Sequence, residues 1–266
     1  QRSISNGVTW VITMPRAHVH LPYKKLLENI NYVRERKLDL EIYFDSLALD
    51  NISGKDIHNL KWSLDWNPNL SLHGPFMDMS PGGMDEKVRR LTLERFLHLV
   101  EIAEVFKPKV LIFHPGYDMW RFHGHEDQWL ENSLKTWSQV LESARKTTAS
   151  IAIENVFEED PATIEDLIKE IDSDRFGFCL DTGHFHLFSK KPLKEWIDRL
   201  GHRLIEVHIH DNNGIEDEHL AIGDGKLDFD LFFRLLKGFQ NMPLLTIEVR
   251  SKEAVEKSIE KIKSFL

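Results

Sequence analysis

The sequence predicts a single parallel (β/α)8 barrel with a metal site at its mouth, the end of the barrel formed by the carboxyl ends of the strands. Short apolar, β-branched segments alternate eight times with longer segments of helical periodicity, a pattern typical of a parallel barrel. The length of 266 residues is close to the roughly 250 residues that such barrels use. The alternative is an open doubly wound sheet, in which the polar residues that end the strands would spread along an edge.

The predicted strands are short apolar runs bounded by polar or glycine-containing segments. They begin at Val8, Leu40, Leu70, Val110, Ile151, Phe176, Leu204 and Leu244. The first is the segment VTWVIT, so Arg16, His18 and His20 are expected just after the first strand. Because no linker or change of composition interrupts the pattern, we expect residues 1–266 to form one domain.

The helices are predicted from apolar residues that recur at a spacing of three and four. The segment from Asp85 to Phe106 shows this spacing most clearly, and Pro22 and Pro161 suit the first turns of two other helices. Further helices are predicted near Lys55 to Leu64, Gln128 to Lys146, Pro192 to Leu200, Asp228 to Phe239 and Ser251 to Leu266.

The composition excludes several classes of protein. A hydrophobic content of 41% is ample for a packed core, and the single cysteine, Cys179, excludes a disulfide-based fold and a cysteine zinc cluster. No apolar run approaches the roughly 18 residues of a membrane span, and the first residues lack a signal-peptide pattern, so the expected location is cytoplasmic. A formal net charge of −9 argues against a broad nucleic-acid-binding face, which needs Lys and Arg.

Imidazole and carboxylate side chains fall at or just beyond the ends of the predicted strands. They are His73, His114, Glu154, Asp181, His184, His208, Asp217, His219 and Glu248. Taken singly, each has an ordinary interpretation: a hydrogen-bonded histidine, a salt bridge, a helix cap or a solvated loop. Taken together, they favour a bound divalent cation, because clustered carboxylates resist ionising unless a positive charge compensates them. Nitrogen and oxygen donors without sulfur leave Zn²⁺, Mn²⁺, Co²⁺ and Mg²⁺ open.

The motifs around these residues resemble those of a known superfamily. They are LHGP at His73, FHPG at His114, IEN at Glu154, LDTGH at Asp181, EVHIHDN at His208, DEHLAIGDG at Asp217 and IEV at Glu248. As a set, and in this order, they resemble the xylose isomerase-like TIM barrels, which include AP endonuclease family 2. The resemblance covers nearly the whole chain after the second predicted strand.

The resemblance implies between one and three metal ions per chain. Endonuclease IV of this superfamily binds three zinc ions. By similarity, His73, His114 and Glu154 would hold the first. Glu154, Asp181, His208 and Glu248 would hold the second, with Glu154 as the bridge. His184, Asp217 and His219 would hold the third. The sugar isomerases and epimerases of the superfamily use mainly the second position.

The resemblance leaves two main reaction classes open. In an isomerase or epimerase, Glu154 and Glu248 would move protons next to a metal-bound carbonyl of a sugar or sugar phosphate. In an endonuclease IV-like phosphodiesterase, clustered metals would activate water against a phosphodiester. A metal-dependent dehydratase on the same scaffold is a further alternative, and a non-enzymatic binding role is least favoured. The first two predicted barrel units lack a DNA-contact motif of endonuclease IV, so we favour the isomerase or epimerase and a small carbohydrate substrate over nucleic acid.

Four further residues are candidates for substrate binding. Arg250 lies two residues after Glu248 and shares its side of the strand, where it would grip an anionic group or pair with a site carboxylate. His210 shares a face with His208 and would touch the substrate or support a ligand. Trp120 lies in the loop from Tyr117 to Asp127, a possible lid, and Lys226 in the loop after the seventh strand. The oligomeric state is not predicted by the sequence.

Overall fold

Eight parallel strands close into a barrel in sequential order in the computed structural model, which describes residues 17–266. The strands are β1 (His18–Pro22), β2 (Asp39–Tyr43), β3 (Leu70–His73), β4 (Val110–Phe113), β5 (Ser150–Glu154), β6 (Phe176–Asp181), β7 (Leu204–Ile209) and β8 (Leu244–Ile247). The predicted (β/α)8 barrel is therefore confirmed, and the open doubly wound sheet is excluded.

Helices connect the strands and cover the barrel. They are α1 (Tyr23–Glu28), α2 (Ile30–Arg36), α3 (Ser46–Asn51), α4 (Gly54–Ser63), α5 (Glu86–Phe106), α6 (Met119–Phe122), α7 (Glu126–Ser143), α8 (Ala162–Ile171), α9 (Thr182–Phe188), α10 (Leu193–Leu200), α11 (Phe229–Leu236) and α12 (Lys252–Phe265), with 3-10 turns at Ala144–Lys146 and Gly201–Arg203. None of these helices, all within residues 17–266, is both long enough and apolar enough to cross a membrane.

The first barrel strand differs from the prediction. It is His18–Pro22, and its residue His18 pairs with Asp39 of β2 on one side and with Thr246 of β8 on the other, which closes the barrel. His18 and His20 therefore lie within the strand and do not follow it. The segment VTWVIT and Arg16 lie outside the described residues.

Three short helices, α3, α6 and α9, were not predicted. Each has seven residues or fewer, which is too short for helical periodicity to be seen in a sequence. An aspartate directly precedes each of them, and its side chain accepts a hydrogen bond from the backbone at the third residue of the helix. The prediction that residues 1–266 form one domain stays a prediction.

The main core lies between the strands and the helices. Its large side chains, such as Phe96, Trp137 and Trp196, are fully buried. Burial of such aromatic residues contributes roughly 1.5 to 3 kcal/mol each in the usual area accounting. This core packs the helices against the outer face of the barrel.

Inside the barrel, a second layer of side chains lies directly below the mouth. Side chains two residues apart on a strand share a face, so each strand-end residue has an inward neighbour one layer down. These neighbours are Ser71 below His73, Ile112 below His114, Ala152 below Glu154, Cys179 below Asp181, Glu206 below His208 and Thr246 below Glu248. The layer is apolar under β4, β5 and β6 and polar under β3, β7 and β8.

We expect Gly177→Ala to destabilise the barrel by roughly 1–3 kcal/mol, the usual range for overpacking. A Cβ atom at Gly177 on β6 would collide with the backbone carbonyl of Arg203 and with the side chain of Ile205. Gly54, the first residue of α4, has open space around its Cβ position and gives a matched control. Urea unfolding should show a lower midpoint for Gly177→Ala than for the parent protein. The midpoint of Gly54→Ala should not be lowered. Equal midpoints for the two variants would contradict this account of packing between β6 and β7.

Candidate metal centre

The strand ends bring the predicted residues to one place at the mouth of the barrel. His73, Glu154 and Asp181 are the last residues of β3, β5 and β6, and His208 is one residue from the end of β7. His114 and Glu248 directly follow β4 and β8. Because the strands are parallel and the barrel is closed, these six side chains converge.

His208 lies at the centre of the cluster and is fully buried. Its Nε2 atom is 3.2 Å from Glu41. A carboxylate can only accept, so this nitrogen carries the hydrogen and the other nitrogen, Nδ1, has a lone pair. Nδ1 forms no hydrogen bond, yet it lies 3.3 Å from Glu154, 3.1 Å from Glu248 and 3.9 Å from Asp181. A lone pair that faces three carboxylates requires a proton or a cation between them.

His73 shows the same arrangement on the side of β3. Its Nδ1 donates to the carbonyl of Gly74 over 2.8 Å, which leaves the lone pair on Nε2. That nitrogen is 3.0 Å from Glu154, and Nε2 of His114 is 3.4 Å from the same carboxylate oxygen. Burial alone would lower the pKa of His73, but the hydrogen bond and charge of Glu154, together with the charge of Glu41, outweigh burial and raise that pKa.

His219 repeats the arrangement on the loop after β7. Its Nδ1 lies 3.0 Å from the carbonyl of Glu248 and donates to it, and its Nε2 lies 2.9 Å from Asp217. His184 also approaches Asp217, with 3.6 Å between Nε2 and the carboxylate, and its own Nδ1 faces the carbonyl of Asn155 at 3.1 Å. The second oxygen of Asp217, Oδ1, is buried without a hydrogen-bond partner among the described residues.

The pKa shifts in the cluster also indicate that its carboxylates require positive charge. Burial alone would raise the pKa of Glu154, but the charges of His114 and His208 hold that pKa well below its usual value. Burial alone would lower the pKa of His219, but the hydrogen bond with Asp217 and the charges of Glu248 and Asp217 raise that pKa to about 9. The carboxylates thus draw positive charge to the mouth, which a divalent cation supplies as well as protons do.

By these contacts, the side chains of the cluster fit a metal ion. Donor atoms of Glu154, Asp181, His208 and Glu248 all lie within 4.8 Å of one another, as do those of His73, Glu154 and His208. Each of the three groups that the resemblance implies contains one histidine lone pair directed at a carboxylate. The residues can therefore hold one cation between His208 and the carboxylates that face it, and further cations beside His73 and His219.

Two buried carboxylates near this centre were not predicted. Glu41 on β2 contacts His208, and it is also 2.8 Å from Nδ1 of His20. Glu206 lies one layer below His208 and accepts hydrogen bonds from Ser71 and Thr246. Burial first, and the charge of Glu41 second, raise the pKa of Glu206 to about 8, which favours the neutral form of this group. A carboxylate inside the apolar run LEIYF was the available signal for Glu41.

The four predicted substrate contacts lie in different places. Arg250 is exposed and donates to the backbone carbonyl of Asp217 over 2.8 Å. His210 is fully buried, 3.1 Å from Asp181, with its ring stacked on His219 at 4.1 Å. Trp120 is 73% exposed on α6, and Lys226 is exposed on the loop after β7. Neither Trp120 nor Lys226 lines the cavities that contain Glu248.

A cavity of about 550 Å³ opens on the centre. Its walls combine the side chains of His114, Glu154 and Glu248 with apolar side chains, including Phe76 and Phe157. The Phe76 ring stacks on His114 with 4.5 Å between ring centroids. The cavity has the size and mixed lining of a site for a small molecule.

The chain belongs to the xylose isomerase-like TIM barrel family, the AP endonuclease 2 family, whose model matches residues 40–265. It is 31% identical to the uncharacterized protein MJ1311 of Methanocaldococcus jannaschii, over 97% of this chain and 91% of the relative. The resemblance of the strand-end motifs to this superfamily is thereby confirmed.

The relatives include enzymes of two kinds. A solved structure described as a D-tagatose 3-epimerase-like protein is 29% identical, covers 95% of this chain and 97% of its own, and superposes with a TM-score of 0.81. A probable endonuclease 4 of Mycoplasma pneumoniae is 22% identical over 67% of this chain and 65% of the relative. The family of the chain therefore has both epimerase and endonuclease 4 neighbours.

We expect Glu41→Gln to weaken Zn²⁺ binding by roughly 10- to 100-fold, the usual effect of removing a carboxylate that orients a histidine ligand. A glutamine side chain can present its NH₂ group to His208, and the ring then loses the partner that keeps Nδ1 unprotonated. Competition with a chromophoric chelator measures the affinity. Asp39→Asn is the matched control, because Asp39 is a buried carboxylate of the same strand that contacts Asn69. Equal zinc affinity in the two variants would contradict this role of Glu41.

Glu158 is a buried carboxyl that follows β5 and titrates near neutral pH. Burial raises its pKa to about 7, although its Oε2 atom accepts a hydrogen bond from the backbone of Val156 over 2.7 Å. Its Oε1 atom has no partner among the described residues. Because the folded state holds this proton more tightly than the unfolded state does, folding stability should fall as the pH rises from about 4.5 to about 7.

We therefore expect Glu158→Gln to remove part of this loss. The variant should gain up to a few kcal/mol of stability relative to the parent at pH 8, since one pKa unit is about 1.4 kcal/mol, and little at pH 4.5. Urea unfolding at the two pH values measures the difference. Exposed Glu170 on α8 provides the control, as Glu170→Gln should give equal differences at both. A gain for Glu158→Gln that does not depend on pH would contradict the assigned titration.

Proposed function

We propose that this protein is a divalent-metal-dependent isomerase or epimerase that moves a proton next to the carbonyl of a small carbohydrate. The observation that carries the proposal is the pair Glu154 and Glu248. Both carboxylates approach the same atom, Nδ1 of His208, and both line the cavity of about 550 Å³. Two carboxylates from different strands at the end of a sugar-sized cavity are the arrangement that proton removal and return require.

The metal would be held by Glu154, Asp181, His208 and Glu248. Nitrogen and oxygen donors without sulfur suit Mn²⁺, Co²⁺, Zn²⁺ or Mg²⁺. A bound cation of this kind supplies Lewis-acid polarisation of the substrate carbonyl. The groups at His73 and at His219 provide for up to two more cations, which gives one to three per chain.

The two carboxylates are not equivalent, and the difference suggests separate roles. The Glu154 side chain is only 2% exposed, and its two oxygens contact four histidines. The Glu248 side chain is 18% exposed and approaches His208 most closely. We assign removal of the substrate proton to Glu248, because it is the more accessible carboxylate, and return of a proton from the other face to Glu154.

The walls of the cavity serve orientation and exclusion of water. Phe76 stacks on one face of His114, and both Phe76 and Phe157 line the cavity. An aromatic wall suits the apolar face of a sugar, while His114 and Asp217 offer polar contacts. The likeness to a D-tagatose 3-epimerase-like protein over nearly the whole of both chains supports a carbohydrate substrate.

A phosphodiesterase like endonuclease 4 is the second candidate. The observation in its favour is that three histidine lone pairs, on His73, His208 and His219, each face a carboxylate. Three cations at these positions would suit hydrolysis of a phosphodiester. The formal charge of −9 and the lower similarity to the endonuclease 4 relative make this candidate the weaker one.

We expect Glu248→Gln to lower the rate of solvent deuterium exchange into D-tagatose by at least about 100-fold, the usual contribution of a general base. Mass spectrometry in D₂O measures the exchange, and elemental analysis checks that metal remains bound. Glu260→Gln, an exposed change on α12, is the matched control and should retain full exchange.

Two outcomes would overturn the proposal. One is unchanged exchange in Glu248→Gln, and the other is full activity of protein from which the metal has been removed. Cleavage of DNA at abasic sites by the parent protein, together with three bound metal ions, would instead select the phosphodiesterase.

A further inference from the structure

A second cavity borders the candidate metal centre on the side of β1 and β8. Its volume is about 480 Å³. It shares two wall residues, His219 and Glu248, with the cavity of about 550 Å³, and His20 of β1 also lines it. A substrate whose reacting carbon lies at Glu248 therefore has a neighbouring space for a substituent. We call this space the side cavity.

Three cationic side chains lie among the apolar residues that line the rest of the side cavity. Lys25 of α1, Arg250 after β8 and Lys252 at the start of α12 line it. Of the described residues that form its wall, Glu248 is the one carboxylate, and it belongs to the metal centre. The side cavity thus has an acidic end at the centre and cations from three separate elements elsewhere.

These cations remain available to a ligand. Arg250 uses one nitrogen on the backbone of Asp217, and neither Arg250 nor Lys252 forms an ion pair with a described residue. Lys252 instead places its ammonium group 4.8 Å from the ring centre of Tyr32, which also lines the cavity. Lys25 pairs with Glu28 over 2.9 Å at the surface, an exposed pair of little net strength.

The link between Arg250 and Asp217 ties the side cavity to the centre. Asp217 contacts His219 and His184 through its side chain and Arg250 through its carbonyl. Arg250 is therefore held beside the candidate ligands by a fixed contact and keeps further N–H donors for a bidentate partner.

We propose that the side cavity binds the phosphate group of a phosphorylated sugar whose reacting end lies at the metal centre. The inference rests on the proposed function and names its class of substrate. A phosphate monoester carries about −1.5 to −2 charges at pH 7 and three acceptor oxygens, which matches three cations better than a neutral hydroxymethyl group or a single carboxylate does.

Equilibrium binding to the metal-loaded full chain tests the proposal without turnover. Calorimetry would compare D-ribulose 5-phosphate with D-ribulose, and we expect the phosphate ester to bind at least about tenfold more tightly, the equivalent of one charge-assisted hydrogen bond. Lys252→Gln and Arg250→Gln should each reduce the affinity for the ester several-fold. Lys257→Gln is the matched control on α12, because Lys257 pairs with Asp224 and does not line the side cavity.

Each outcome decides the proposal. It is overturned if the ester binds no more tightly than the free sugar. It is also overturned if both variants bind the ester as the parent does, since the phosphate would then lie elsewhere, for example at the metal centre. D-Ribonate, a carboxylate of the same chain length, provides a third arm, and equal affinity for it would also overturn the proposal, because the side cavity would then select anions in general and not phosphate.

The result is separable from the test of the proposed function. Deuterium exchange reports on the carboxylate of Glu248, whereas the calorimetric comparison reports on Lys252 and Arg250. The ester could bind tightly, and the Lys252 and Arg250 variants could weaken its binding, while no deuterium exchange is found. That result would contradict the proposed isomerase and support the phosphate site. Deuterium exchange into free ketoses, together with no preference for the ester, would support the isomerase and contradict the phosphate site.

Discussion

The charge balance around the buried His208 is the constraint on which the rest of the mouth depends. One ring nitrogen donates to Glu41, and the other faces Glu154, Asp181 and Glu248 without a hydrogen bond. Ionising four carboxylates around one buried imidazole costs free energy unless positive charge is supplied. The geometry of the centre is therefore that of a cation site, and a proton or a metal must complete it.

The same constraint explains the unequal interior of the barrel. Under β4, β5 and β6 the layer below the mouth is apolar, whereas Ser71, Glu206 and Thr246 lie under the ends of β3, β7 and β8. Ser71 of the polar half and His20 of β1 both contact Glu41. The pKa of Glu206 is raised and that of Glu41 is lowered, which limits the negative charge that has to be compensated, since two neighbouring buried carboxyls resist ionising together.

The two cavities reach the candidate metal centre from different sides. One opens on Glu154 and has aromatic walls, and the other leaves Glu248 toward Lys252 and Arg250. The family has epimerase and endonuclease 4 neighbours, so the fold alone does not select a reaction. The pair of carboxylates at a sugar-sized space and the cationic side cavity both support a small anionic carbohydrate, whose phosphate would offset the exposed cations.

The sequence by itself determined the barrel and the set of residues at its mouth. Apolar runs that end in His73, Glu154, Asp181 or Glu248 locate strand ends whether or not the partners are known, because a barrel sends every such end to the same place. Only the tertiary structure decided that His18–Pro22 closes the barrel, because closure depends on pairing with both β2 and β8. Likewise, Glu41 and the side cavity depend on which strands become neighbours and how far each side chain reaches. Those distances arise from packing between residues remote in the chain, which local pattern and propensity do not encode.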